Sequence, residues 1–279
     1  MSFLRSKVKS LLKQVAFSTP LHRSLFNPYS FMYSPSELMF LTQCISDAQA
    51  VPGCFIEAGC AYGATTLWLS KYMEDQGIER DYYAIDTFSG FEEEHVNYER
   101  DQRNKSARAL YSHFGDNKQA WFDKTMALHS VHRVRSIQSD VGRFNFTALS
   151  PIAFCLLDVD LYLPIKAALP KIYQAMSPGG VLVVDDCWRD DKWDGALQAY
   201  DEFTAATGIE RRIVGRKLGV TDLGWRVALF FTRAYNRLLR PSLAAVLPGH
   251  LAEIIPLRTA FDALDRRLNA CLVQHNLAA

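Results

Sequence analysis

Five short strand-like runs in this chain, all mainly apolar but the third, each lead to a carboxylate: Phe55-Ile56 to Glu57, Asp81-Tyr-Tyr-Ala-Ile85 to Asp86, Val134 to Gln138 to Ser139-Asp140, Pro151 to Leu157 to Asp158, and Val181 to Val184 to Asp185-Asp186. Segments of helical spacing alternate with them: Leu67, Trp68, Leu69 and Met73 follow the first, Lys118 to Leu128 precedes the third, and Ile165, Ala168, Leu169 and Ile172 join the last two. The 151–158 run is almost continuously apolar, as in a strand covered on both faces. Alternating strand and helix predicts an α/β fold, Rossmann-like, with a mostly parallel sheet and helices on both faces. A helix over Trp193 to Thr207 and last strands at Arg212 to Val214 and Val227 to Thr232 bring the sheet to seven strands. Ligands of such sheets bind beyond the carboxyl ends of the strands, near the topological switch, which is where the acids fall.

The first run continues Glu57-Ala-Gly-Cys-Ala-Tyr-Gly63 and then enters a helix. Gly59 and Gly63 let the backbone turn tightly, and the free N–H groups of the helix's first turn face whatever sits above the strand. A dinucleotide fingerprint needs G-x-G-x-x-G, whereas this turn is G-x-x-x-G with an acid before it. Pyrophosphate is disfavoured and a cationic ligand is favoured; the plain alternative is a glycine turn that only connects strand to helix. Asp86, closing the second strand, stands where such folds receive ribose hydroxyls.

Asp158, Asp185 and Asp186 end neighbouring buried strands, so their charges converge unless they are protonated or neutralised by a cation. Oxygen ligands without His or Cys at metal spacing favour magnesium or manganese over zinc. The alternative is that Asp185 and Asp186 cap the next helix while Asp158 pairs with a basic side chain.

The turn E-x-G-x-x-x-G resembles motif I of class I S-adenosylmethionine-dependent methyltransferases. Leu156-Leu-Asp-Val-Asp-Leu-Tyr162 with Gly179-Gly-x(4)-Asp185-Asp186 is similar to the macrocin O-methyltransferase family, over about Pro35 to Arg233. The resemblance implies a methyltransferase fold and S-adenosylmethionine as cofactor, with Glu57, Gly59, Gly63 and Thr65 at its methionine end, Asp86 at the ribose, and Ser139 and Asp140 at the adenine. It implies Asp158, Asp185 and Asp186 as ligands of magnesium or manganese. The acceptor is then a hydroxylated small molecule, with methyl transfer to a hydroxyl of a sugar, glycoside or natural product: neighbouring hydroxyls on the metal, an oxygen aimed at the sulfonium methyl. Catechol-type enzymes follow the first Asp, three residues on, with a catalytic Lys; this chain has Leu161 there. Asp160 beside Asp158, or His95 or His113, is left as the base, and Asp160 serves equally well as a capping acid.

A net charge of +1 gives no field for nucleic acid, and no aromatic-basic RNA-binding module is present. No apolar run spans a bilayer, no signal peptide is recognised, and Cys54, Cys60, Cys155 and Cys187 read as reduced core cysteines, so a cytoplasmic protein is expected. Residues 1–33 form an extension whose Met1 to Ala16 reads as a basic amphipathic helix, able to touch an anionic membrane but more readily packed on protein. The catalytic domain spans 34–233 and includes a charged segment, 91–117, long enough to be a lid. The 234–279 tail carries an apolar stripe that could pair subunits into a homo-oligomer. Rival functions are a non-catalytic assembly protein of the same fold, a catechol- or phenol-type O-methyltransferase, and a nicotinamide oxidoreductase, the last disfavoured by the glycine spacing.

Overall fold

Strand and helix alternate as the apolar runs require. The computed structural model describes Val15, Thr19 and residues 31–106, 114–189 and 193–222. The chain divides into Met1–Ser34 and Pro35–Ala279, and every element named here lies in the second unit. In order they are α1 (Pro35–Ala48), β1 (Cys54–Ala58), α2 (Ala64–Asp75), β2 (Tyr82–Asp86), α3 (Glu93–Arg103), α4 (Gln119–Leu128), β3 (Val134–Gln138), a 3-10 turn (Phe146–Leu149), β4 (Ile152–Leu157), α5 (Tyr162–Ala175), β5 (Met176–Val184), α6 (Gly195–Thr207), β6 (Ile213–Val214) and β7 (Leu218–Asp222).

The sheet has seven strands in the order β3-β2-β1-β4-β5-β7-β6. β1 to β5 run parallel, while β7 is antiparallel to both β5 and β6. The direction of winding reverses between β1 and β4, so the topological switch lies between them. Successive strand residues point to opposite faces, and β2 shows both faces covered. Ile85 joins the core with Ile165, Leu169 and Tyr200 of α5 and α6, while its neighbour Ala84 packs with Phe122 and Met126 of α4. Every residue of β4 is buried, which explains why its sequence lacks the alternation of a one-sided strand.

Four boundaries differ from the sequence-based expectation. The seventh strand is Leu218–Asp222, a short segment whose Gly219 masks its strand character; Val227 to Thr232 lies outside the described residues. β5 begins at Met176, with Ser177-Pro-Gly-Gly180 taken into the strand through a register shift against β4. The helix marked by Ile165, Ala168, Leu169 and Ile172 begins earlier, at Tyr162, where a carboxylate from α3 accepts its first N–H. The charged 91–117 segment contains an ordinary helix, α3, whose Val96 and Glu99 are buried. His113 and, apart from Val15, the Met1 to Ala16 and 234–279 segments lie outside the described residues, as do any contacts they make. Among the described residues no helix is long and apolar enough to cross a membrane, and the five described cysteines are free.

Gly59 and Gly77 both have positive φ, +88° and +64°, but only Gly59 is crowded. A Cβ on Gly59 would stand 1.8 Å from the Asp158 carbonyl oxygen, whereas one on Gly77 meets nothing within 4 Å. Gly77→Ala should therefore cost only the backbone penalty of ~1 kcal/mol, and Gly59→Ala well over that. Urea unfolding of the two variants measures the difference, and equal losses would contradict close contact of the β1 and β4 ends.

Candidate functional site

The strand ends are carried one rung past the regular sheet by backbone bonds. Gly59 N–H donates to Ile85 O (2.7 Å), Asp158 N–H to Ala58 O (2.7 Å), Asp185 N–H to Leu157 O (2.9 Å) and Ser139 N–H to Asp86 O (2.8 Å). These bonds extend β1, β3, β4 and β5 along one edge of the sheet, on both sides of the switch between β1 and β4.

On the β1–β3 side lies the glycine turn. Gly63 sits at the N-cap of α2 in the left-handed region and supplies no capping side chain, so the α2 N–H groups are presented to whatever binds there. A Cβ on Gly63 would stand 2.8 Å from the Phe122 ring, which gives this glycine a packing role as well. Thr65 follows it in the first turn and is buried. Asp86 braces the turn: its Oδ2 accepts the N–H groups of Cys60 and Ala61, both at 2.9 Å, and its Oδ1 that of Phe88 at 2.7 Å. The Thr87 hydroxyl also lies 3.5 Å from Oδ1 but is closer to Gly90 O, at 2.6 Å, so three of about four carboxylate acceptor sites are firmly used and the fourth is only weakly held. Asn117, missed in the sequence, steadies the turn through its Nδ2 bond to Ala61 O at 2.7 Å.

Ser139 and Asp140 stand at the end of β3. Asp140 Oδ1 accepts from Gly142 N–H at 2.9 Å, while Oδ2 is buried without a hydrogen-bond partner, 3.4 Å from Arg143 Nε and 4.0 Å from His95 Nε2. His95 is therefore on the Asp140 side of the site. Glu57 lies below the edge, 1% exposed, its Oε2 accepting the Tyr82 hydroxyl at 2.8 Å. Burial pushes its carboxyl up from 4.5 to about 8 against the hydrogen bonds that favour the anion.

On the β4–β5 side the carboxylates cluster. Oxygens of Asp158, Asp160 and Asp186 all lie within 4.8 Å of one another, a spacing that suits one hard cation. Asp160 and Asp186 both hold left-handed backbone, φ 60° and 55°, an unusual conformation that short polar side chains tolerate best. Burial, then the charges of Asp158 and Asp186, raise Asp160 well above the usual carboxylate range. Asp185 is raised likewise, by burial and by Asp158 and Asp186.

Lys217, just before β7, is the residue that sequence reading missed altogether. Its Nζ is 2.6 Å from Asp185 Oδ2 and 3.1 Å from Asp186 Oδ1, and the residue is 5% exposed. Burial alone would lower its pKa, but the charges of Asp185, Asp158 and Asp186 outweigh that and raise it, keeping the ammonium charged. Asp185 and Asp186 thus meet a basic side chain, which the sequence reading had offered only to Asp158. Asp185 Oδ1 is still buried without a hydrogen-bond partner. No local signal marks Lys217, since the antiparallel strand delivers it from outside the β–α pattern.

A parallel sheet in this strand order, with a glycine turn after β1 and acids after β2, β4 and β5, defines a class I methyltransferase fold. The family model of macrocin-O-methyltransferase (TylF) matches residues 30–217, and the chain belongs to that family of S-adenosylmethionine-dependent O-methyltransferases. Among solved structures it is similar to the O-methyltransferase NovP, with 21% identity, 69% of this chain and 81% of that one covered, and a TM-score of 0.60. It is also similar to the calicheamicin methyltransferase CalS11, with 20% identity, coverage of 78% and 92%, and a TM-score of 0.59. An apo structure of CalS11, described as a TDP-rhamnose 3'-O-methyltransferase, aligns at 18% identity over 78% and 94% of the chains, with a TM-score of 0.50. No curated protein sequence matches.

The buried Glu57 gives a pH test. Its folded pKa of about 8 lies above its ordinary 4.5, so the folded state keeps a proton that the unfolded chain releases. Its contribution is full below pH 4.5 and is lost as pH rises toward 8. Glu57→Gln should flatten this part of the stability curve and gain on the order of 4 kcal/mol at pH 8 relative to pH 4. Denaturant melts of both proteins across that range are the measurement, and parallel curves would show that Glu57 is ionised in the fold.

Proposed function

We propose that this chain methylates a hydroxyl of a sugar, glycoside or related natural product, in the cytoplasm, with a divalent cation held at the acid cluster. The observation that carries the reading is the two-sided edge: a glycine turn and free helix N–H groups on one side, converging carboxylates on the other. The residues fit both groups. Gly63 leaves the first N–H groups of α2 without a capping side chain, Asp140 Oδ2 is a buried acceptor without a hydrogen bond, and Asp158, Asp160 and Asp186 offer a compact all-oxygen face. The donor supplies an activated methyl group, and magnesium or manganese supplies positive charge and Lewis acidity at the acceptor oxygen.

The roles we assign to the chain's own residues follow from their surroundings. Gly59, Gly63 and Thr65 would hold the methionine end, with Glu57 beneath them; Asp86 would take a ribose hydroxyl with its remaining acceptor site, and Ser139 and Asp140 the adenine. Asp158 and Asp186 would hold the cation with a third carboxylate. Asp160 shares the 4.8 Å grouping with them, while Asp185 is engaged by Lys217. Asp160 is also the base we favour on position, beside Asp158, because His95 is placed beside Asp140 instead. Leu161, where catechol-type enzymes carry Lys, is buried against Val96 and belongs to an apolar wall. The sugar class is supported by the family and by the stated activity of CalS11, which is a property of that protein.

Calorimetry with S-adenosylhomocysteine should show binding that Asp86→Ala weakens by ~1.5–3 kcal/mol, as for a hydrogen bond to a charged group. Unchanged affinity would remove Asp86 from the donor site. Methyl transfer to a nucleotide-linked deoxysugar should stop in excess EDTA and return with magnesium, and donor binding should survive in Asp158→Asn and Asp186→Asn. Turnover that persists in EDTA would leave a metal-independent enzyme with Asp160 as its base.

A further inference from the structure

α5 begins directly after the acid-bearing loop, and its N-cap residue is Leu161, which has no side-chain hydrogen bond to offer. The cap comes from elsewhere in the chain. Glu99 of α3, 1% exposed, accepts the Tyr162 N–H through Oε1 at 2.8 Å across 63 residues of sequence. A carboxylate at that position also meets the positive end of the α5 dipole. Glu99 Oε2 accepts Arg103 Nε at 2.8 Å, and Arg103 reaches on to Asp194 Oδ1 at 2.7 Å and to Gln198. Gly195 makes the room: a Cβ there would stand 2.7 Å from Tyr162 N and 2.9 Å from Glu99 Oε1.

One turn before Glu99, Val96 is fully buried against Leu161. The two residues that follow Asp160 are therefore both held by α3, one by an apolar contact and one by a charged acceptor. Asp160 itself has left-handed backbone at φ 60°, and the Leu161 N–H to Val159 O bond of 2.6 Å closes a tight turn around it. Backbone of this kind persists only where its surroundings hold it. We propose that Glu99 is a positioning residue: by capping α5 from α3 it holds the Asp158–Tyr162 loop in the conformation that brings Asp160 to Asp158 and Asp186. The consequence for metal binding rests on the function proposed above; the hold on the loop does not.

The test uses the full chain after EDTA treatment, with amide hydrogen exchange over residues 158–163 and manganese binding read by the paramagnetic resonance of the free ion. Glu99→Leu should speed exchange at the Tyr162 amide by about tenfold or more, since the bond that protects it is gone. It should weaken manganese by about 10–100-fold, the usual effect of losing a group that orients a ligand, while S-adenosylhomocysteine affinity stays within about twofold. Glu99→Gln keeps an oxygen for the Tyr162 N–H and should stay within about threefold of wild type on both readings, although it melts earlier through loss of the Arg103 pair.

Lowered melting in both variants with neither reading moved would overturn the proposal. If Glu99→Leu does not fold, Val96→Ala decides: it loosens the same loop without touching a polar group, and should shift both readings in the same direction by about threefold. No change in that variant would also overturn it. A wild-type protein that binds no manganese would remove the metal reading, and loop exchange would still decide the role of Glu99.

Discussion

Carboxylates crowded at one sheet edge repel one another, and the way this chain contains that repulsion governs most of the site. Asp158, Asp160, Asp185 and Asp186 gather where β4 and β5 end, and burial there strengthens every charge–charge interaction. Lys217 answers part of it by placing an ammonium against Asp185 and Asp186. A single cation cannot balance four acids, and the raised proton affinities of Asp160 and Asp185 express what is left. The remaining negative charge favours further cations at this edge, whether a metal ion, the sulfonium of a donor or a transferred proton.

The acid-bearing loops also carry unusual backbone. Asp160 and Asp186 adopt left-handed conformations that would relax if the loops were free. They are not free: the Leu157 carbonyl holds the Asp185 amide, and α3 grips the loop after Asp160 through Val96 and Glu99. The charged segment between β2 and α4 thus contributes one wall of the site. Two of its charges, Glu99 and Arg103, fasten α3 to the starts of α5 and α6, where they meet the Tyr162 N–H and Asp194.

The glycine-turn side is built on a different set of interactions. There the backbone supplies most of the polar groups, and side chains mainly shape it: Asp86 gathers the N–H groups of the turn, Asn117 holds Ala61 O, and Gly59 allows the β1 and β4 ends to touch. Because both halves meet at Gly59 and Asp158, a change in the turn is felt at the acids. That contact, at the topological switch, is why one short stretch of glycines could announce the site from so far away in sequence.

Sequence alone determined the order of strands and helices, the edge on which the acids fall, and the glycine turn, because each follows from local periodicity and from what glycine permits. β3 falls on Val134–Gln138 as expected for that reason, and Asp86, Asp140, Asp158, Asp185 and Asp186 stand at the strand ends where their runs stop. Tertiary structure decided what meets those acids. Lys217 arrives on a returning antiparallel strand, Glu99 reaches Tyr162 across 63 residues, and Glu57 turns toward Tyr82 in the core. Nothing in the neighbourhood of Lys217 or Glu99 distinguishes it from a solvated charge. Their roles arise only when non-local folding removes water from around them and brings specific partners within reach.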